Sequence, residues 1–255
     1  GNGVSELIDL TLRALLAADE EVLAPSPDYP LWTAAVNLNR GRAVHYPCRS
    51  ERGFVPDPEE IESLITKRTR AIVVINPNNP TGAVYPREVL EAIARMAEKH
   101  HLVIFADEIY DQMTYDDAEF VPLATLVHHT LCCTMSGLSK VYRACGYRVG
   151  WAVFSGDVEN SRDYLSALEL LSSLRLCSNV AGQWAVQTAL GGYQSIKELV
   201  RPGGRLYESR KAIVDAVARS RYLTLTVPRG AMYAFVGVDT QRLPGFDDRR
   251  FAMDL

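Results

Sequence analysis

Three apolar runs constrain this chain most, each breaking off in polar or turn residues: RAIVVINP at 70–77, HLVIFADE at 101–108 and TLCCTMSG at 130–137. A run that is apolar throughout, and not at every second position, reads as a strand buried on both faces, as in a parallel sheet covered by helices. The intervening segments carry the helical period. Leu7, Ile8, Leu12 and Leu15 recur at helical spacing after Ser5, which stands where an N-cap is expected. DPEEIESLIT has the acidic first turn of a helix, and from Pro86 the residues Val89, Leu90, Ile93 and Ala97 share one face. Strands alternating with helices predict an α/β fold with a doubly wound, mainly parallel sheet, in which ligands bind outside the carboxyl ends of the strands.

EVLAPSPDYP predicts a further strand stopped by prolines, and RVGWAVF another. Helical patterns follow, with Tyr164, Leu165, Leu168, Leu171 and Leu174 in one stripe and SNVAGQWAVQTAL as a second helix. RPGGR interrupts at 201–205, and LTLTVP and AMYAFVGV then predict strands with more alternation, suited to a sheet with one open face. This change of style predicts a large domain over 1–203 and the beginning of a smaller α+β domain over 204–255. The turn-like GNGVSE without a methionine, and DDRRFAMDL stopping where a helix starts, make a piece of a longer protein the expectation.

A hydrophobic share of 47% supplies a core, while a net charge of −4 removes the broad attraction expected of a nucleic-acid binder. A small molecule is the expected partner. The cysteines Cys48, Cys132, Cys133, Cys145 and Cys177 form no CxxC pair, and the histidines no HxxxH pair, so no metal site is expected. Adjacent on a strand, Cys132 and Cys133 should point to opposite faces. No apolar run reaches the roughly 20 residues of a membrane span and no signal peptide is evident, which predicts a soluble cytoplasmic protein.

The chemistry-bearing motifs lie where strands end. NPNNPTG follows AIVVI, ADEIY closes HLVIF, and SGLSK follows TLCCTM, so connectivity alone brings Asn79, Asp107, Tyr110 and Lys140 to one sheet edge. Singly, each has an ordinary explanation: an Asn-Pro turn punctuates loops, an aspartate after a strand caps a helix, and a lysine is a solvated charge.

Together with GNGVSE, PSPDYP and SGLSKVYRACGYRVGW, these motifs resemble in type, order and spacing the class I and II aminotransferases, pyridoxal-phosphate enzymes of fold type I. The resemblance covers nearly the whole chain. GNGVSELI, DYPLWTAAV, INPNNPTGAVY, LRLCSNV and ALGGYQSI are similar more narrowly to the bacterial glutamate-pyruvate (alanine) aminotransferases. The resemblance implies the large domain of that fold, a seven-stranded type of mainly parallel sheet, and pyridoxal 5'-phosphate as cofactor. It implies amino-acid and 2-oxo-acid substrates, such as alanine and 2-oxoglutarate, and a homodimer with shared active sites.

By the same resemblance, Lys140 attaches the cofactor covalently and carries the substrate's α proton. Asp107 faces the pyridine nitrogen and favours its protonated form. Asn79 and Tyr110 hydrogen-bond the phenolic oxygen, and Tyr29 stacks on the ring. Gly3, Val4 and Ser5, at a helix start, and Arg148 hold the phosphate, with a hydroxyl from Ser139 or Ser136. The position three before the lysine, commonly a phosphate-binding serine, is here Gly137. Arg143 and Arg175 are expected to be structural or at the surface. The family's substrate-carboxylate arginine and N-terminal closing segment are not seen between Gly1 and Leu255; a chain of this extent alone should capture cofactor but transaminate poorly. Three other readings stay open: a fold-type I β-lyase or decarboxylase using the same residues, a cofactor-binding effector domain of a transcription regulator, and an unrelated nucleotide-binding α/β protein, against which stands the lack of a GxGxxG between strand and helix.

Overall fold

The apolar runs form the centre of a sheet. In the structure, a computed structural model describing residues 1–255, strands β1 (Glu21–Ser26), β2 (Arg42–Pro47), β3 (Thr69–Ile75), β4 (Val103–Asp107), β5 (Leu131–Gly137) and β6 (Gly150–Gly156) lie in the order β2-β1-β3-β4-β5-β6. All neighbours pair parallel except β5 and β6, which are antiparallel. Helix α1 (Val4–Leu15) precedes β1, α2 (Pro30–Leu38) joins β1 to β2, α3 (Pro58–Ser63) joins β2 to β3, and α4 (Arg87–Lys99) joins β3 to β4.

Alternation along each strand divides the interior into two cores. Leu23, Ile72, Val74, Ile104 and Cys132 face Leu90 and Ile93 of α4, while Val22, Val73, Ile75, Phe105 and Cys133 face Ile8 and Leu12 of α1 and Trp32 of α2. Burial on both sides is what removes polar residues from β3 beyond Thr69 and the exposed Arg70 at its start. The adjacent cysteines do enter opposite cores.

After β6 come α5 (Arg162–Arg175), α6 (Val180–Gly191), α7 (Ile196–Leu199) and α8 (Arg205–Ala218), then β7 (Leu223–Leu225), β8 (Val236–Val238) and α9 (Asp248–Asp254). The mainly parallel α/β architecture is present, with six strands in the large sheet where the resemblance implied a seven-stranded type. β7 and β8 satisfy each other as a separate antiparallel pair. No helix is long and apolar enough to cross a membrane.

Two local expectations change. The cap of α1 is Gly3, not Ser5: Gly3 has φ 82°, and Ser5 lies inside the first turn. The strand expected over AMYAFVGV reduces to Val236–Val238, because the backbone of Gly230 and Ala231 bonds to Gly82 and Met113 and not to a sheet neighbour.

Candidate active site

Strand register builds the site. Ile75 of β3 pairs with Asp107 of β4, and Asp107 with Met135 of β5, so the three strands end side by side. The loops that leave these ends carry Asn79, Tyr110 and Lys140, and they close around a cavity of about 180 Å³. An apolar cavity of about 150 Å³ holds benzene, so this space suits one six-membered aromatic ring. Asn79, Asp107, Tyr110, Ser139 and Lys140 line it, Tyr29 enters from the start of α2, and Val4, Ser5 and Arg148 lie on its wall.

Asp107 is 3% exposed. Its Oδ2 accepts a hydrogen bond from the Trp32 indole nitrogen at 3.0 Å, whereas Oδ1 is buried with no partner. Burial pushes the carboxyl above its usual range, against the Trp32 hydrogen bond, the Ile109 backbone N–H and the charge of Lys140. A buried carboxylate oxygen without a donor is costly. A cationic N–H group brought into the cavity would relieve that cost, and a protonated pyridine nitrogen is such a group.

At the other end the site is built for an anion. The first N–H groups of α1 have no partner within the helix, and the helix dipole adds to them. Arg148 reaches over this terminus, its Nη1 donating to the Cys145 carbonyl at 2.9 Å and its Nη2 to the Asn2 carbonyl at 3.3 Å. A Cβ on Gly3 would lie 2.2 Å from Arg148 Nη2, so the guanidinium occupies the space that any other side chain would fill. The donor set therefore fits a phosphate. Ser139 lines this cavity, while Ser136 lines a different one beside Glu108 and Trp151. A serine at Gly137 has no room, since a Cβ there would meet the Val149 carbonyl at 2.6 Å and Gly150 Cα at 3.0 Å.

Tyr110 is buried, and burial holds its phenol well above the usual range, keeping it a neutral hydrogen-bond donor. Lys140 Nζ lies 5.9 Å from the centre of the Tyr110 ring. Ile75 and Ile109 supply apolar wall. Arg143 and Arg175 stand apart, one donating to Ser195 at 2.6 Å and the other paired with Glu6 at 3.0 Å. Sequence pattern alone does not mark Tyr233 or Trp32 as site residues, although Trp32 carries a signal: it lies three residues beyond Tyr29, within one helical turn, and a buried indole N–H needs an acceptor.

The family model described as aminotransferase class I and II matches residues 1–254. The glutamate-pyruvate aminotransferase AlaA of Escherichia coli is 51% identical over 254 residues, covering 100% of this chain and 63% of that protein. An alanine aminotransferase of Mycobacterium tuberculosis is 49% identical over 255 residues, covering 100% of this chain and 59% of its own length. Among solved structures, an aminotransferase from Escherichia coli has a TM-score of 0.97 at 51% identity, covering 100% of this chain and 63% of its own. An alanine aminotransferase from Pyrococcus furiosus has a TM-score of 0.92 at 34% identity, covering 99% of this chain and 63% of its own. The chain spans 59–63% of the length of these curated relatives.

Proposed function

The chain belongs to the class I and II aminotransferases, and we propose that the protein transfers an amino group between a small amino acid such as alanine and a 2-oxo acid such as 2-oxoglutarate, with pyridoxal 5'-phosphate bound at Lys140. The observation that carries the cofactor assignment is the unpartnered Asp107 Oδ1, buried in a ring-sized cavity that also holds a lysine and an anion cradle. The substrate class rests on the relatives named as glutamate-pyruvate and alanine aminotransferases.

The cofactor, when bound, supplies the electron sink that makes the α proton of an amino acid removable. The chain's residues do the rest. Lys140 would hold the cofactor aldehyde through Nζ, and the same atom is the group that would carry the substrate's α proton. Asp107 offers Oδ1 to the pyridine nitrogen, and the charge pair in a dry site favours protonation of that nitrogen. Asn79 and Tyr110 would donate to the phenolic oxygen, and Tyr29 would cover the ring. The Val4 and Ser5 N–H groups, the Ser139 hydroxyl and Arg148 take the phosphate, with Gly3 leaving room for the guanidinium.

We read residues 1–203 as the large domain and 204–255 as the start of a smaller one, supported by the separate β7–β8 pair and its packing on α8. The partner proposed is a second copy of the chain. Apolar side chains on and beside α5 and α6 stand in solvent, with Leu174 75%, Trp184 79% and Tyr193 76% exposed, an amount of apolar surface that marks an interface.

The test is the absorbance of the full-length protein with pyridoxal phosphate, before and after addition of alanine. A new visible band that Lys140→Ala abolishes, and that alanine converts to the amine form of the cofactor, is expected. Absence of a lysine-dependent band would sink the cofactor assignment. Release of pyruvate with ammonia, in place of a new amino acid from 2-oxoglutarate, would identify a lyase.

A further inference from the structure

Tyr233 reaches the cavity from the far end of the chain, and the structure shows what fixes it there. The backbone N–H groups of Arg229 and Gly230 both donate to the Gly82 carbonyl at 2.8 Å, tying this segment to the loop that carries Asn79. Two residues before Tyr233, the Ala231 N–H donates to the Met113 carbonyl and the Ala231 carbonyl accepts from the Tyr115 hydroxyl, both at 2.8 Å. These bonds tie the segment to the loop that carries Tyr110. Ala231 is fully buried between the two loops. Tyr233 is thus held beside Tyr110 by a segment whose backbone bonds tie it to both loops, without depending on its own side chain.

The side chain then meets Tyr110. The two hydroxyl oxygens are 2.7 Å apart, and the rings pack edge to face with centroids 5.6 Å apart at 83°. Each phenol has one proton to donate. If Tyr110 donates into the cavity, the proton between the two oxygens belongs to Tyr233. We propose that Tyr233 is a positioning residue: its hydroxyl donates to the Tyr110 oxygen and so directs the Tyr110 O–H into the cavity, toward the phenolic oxygen of the bound cofactor.

Donors in series polarise one another, so the chain Tyr233, Tyr110, cofactor oxygen makes Tyr110 a stronger donor than an isolated phenol. The other titratable groups that bear on Tyr110 are Asp107 from β4, Tyr29 from the start of α2 and Lys140 from the loop after β5. Asp107 and Tyr29 act through charge at a distance and Lys140 lies near the ring, whereas Tyr233 is the residue bonded to the oxygen. Its half-buried position at the cavity wall keeps the pair partly shielded from competing water.

The inference rests on the cofactor reading above, and its test separates the two. Full-length wild type, Tyr233→Phe, Tyr110→Phe and the double variant are each loaded with pyridoxal phosphate, and the pH midpoint of the bound cofactor's absorbance is measured. Donors to the phenolic oxygen stabilise the form that has lost its proton, so removing one raises the midpoint. Tyr233→Phe, which keeps the ring, should raise it by roughly half a unit, and Tyr110→Phe by about one unit. In the Tyr110→Phe background Tyr233→Phe should add nothing, because its effect runs through the Tyr110 oxygen. A midpoint unmoved in Tyr233→Phe while Tyr110→Phe moves it overturns the inference alone, as does an equal shift in both backgrounds. A wild type with no lysine-dependent band overturns the cofactor reading and this inference with it.

Discussion

At Gly3 a single hydrogen in place of a side chain decides whether Arg148 can reach over the start of α1, where the proposed phosphate site lies. A Cβ there would overlap Arg148 Nη2 at 2.2 Å, and φ of 82° is strained for any L residue. Gly3→Ala should push the guanidinium off the start of α1 and weaken pyridoxal phosphate binding about tenfold, the equivalent of ~1.4 kcal/mol, as read by titrating cofactor into the protein free of it. Unchanged affinity would show that Arg148 does not work from that position. Residues of this kind were legible because each stands at the end of a recognisable run: Asn79, Asp107, Tyr110 and Lys140 follow apolar strands, and register does the rest. Tyr233 was not legible. Its place depends on backbone bonds to Gly82 and Met113, more than a hundred residues earlier, and AMYAF carries an alternation that a strand would share.

Among elements, β4 carries two carboxyls at its end with opposite surroundings. Asp107 faces the cavity, while the next residue, Glu108, is buried on the other side, where Oε1 accepts from the Leu123 N–H at 2.8 Å and so ties the strand end to the turn at 123–125. Burial pushes Glu108 up to about 7, against the pull of that N–H and with the charges of Asp111 and Asp107 adding to it. A carboxyl whose folded pKa is raised holds its proton longer in the folded state. Its contribution to stability is complete below the unfolded pKa of about 4.3 and is lost as pH rises toward 7. Glu108→Gln should flatten the fall in stability over that window, by up to ~3 kcal/mol, measured by denaturant unfolding at pH 5 and pH 8. An equally steep pH dependence in the variant would assign it to other groups, Asp111 first, since burial raises that carboxyl to about 6. The sequence could place Glu108 on a strand end but not in a dry site, because its burial comes from Leu123 and the neighbouring strand and not from local pattern. The same limit applies to α5, where the stripe Tyr164, Leu165, Leu168, Leu171 and Leu174 predicts one buried face. Only Leu168 is buried, and Tyr164 hydrogen-bonds the Thr11 carbonyl of α1 at 3.0 Å.

For the whole molecule, the exposed end of that stripe bears on how the protein assembles. Leu174, with Leu170 and Leu176 beside it and Val180, Trp184 and Tyr193 after it, forms a band of exposed apolar side chains on and beside α5 and α6. Burying one such large side chain is worth about 1.5–3 kcal/mol, so a monomer leaving the band in water forgoes a substantial driving force. A second copy of the chain can cover it symmetrically, the usual arrangement for homo-oligomers. Trp184 is the strongest anchor by size and exposure, and aromatic residues at the centre of an interface carry much of its energy. Trp184→Glu in the full-length protein should therefore weaken self-association by roughly thirty-fold or more, the effect of losing an anchor worth about 2 kcal/mol, and sedimentation velocity over a dilution series would read it. If Trp184→Glu sediments as wild type at every concentration, α6 is not the contact surface. If the variant is monomeric and still binds cofactor with wild-type affinity, the cradle formed by α1, Arg148 and Lys140 is complete within one chain.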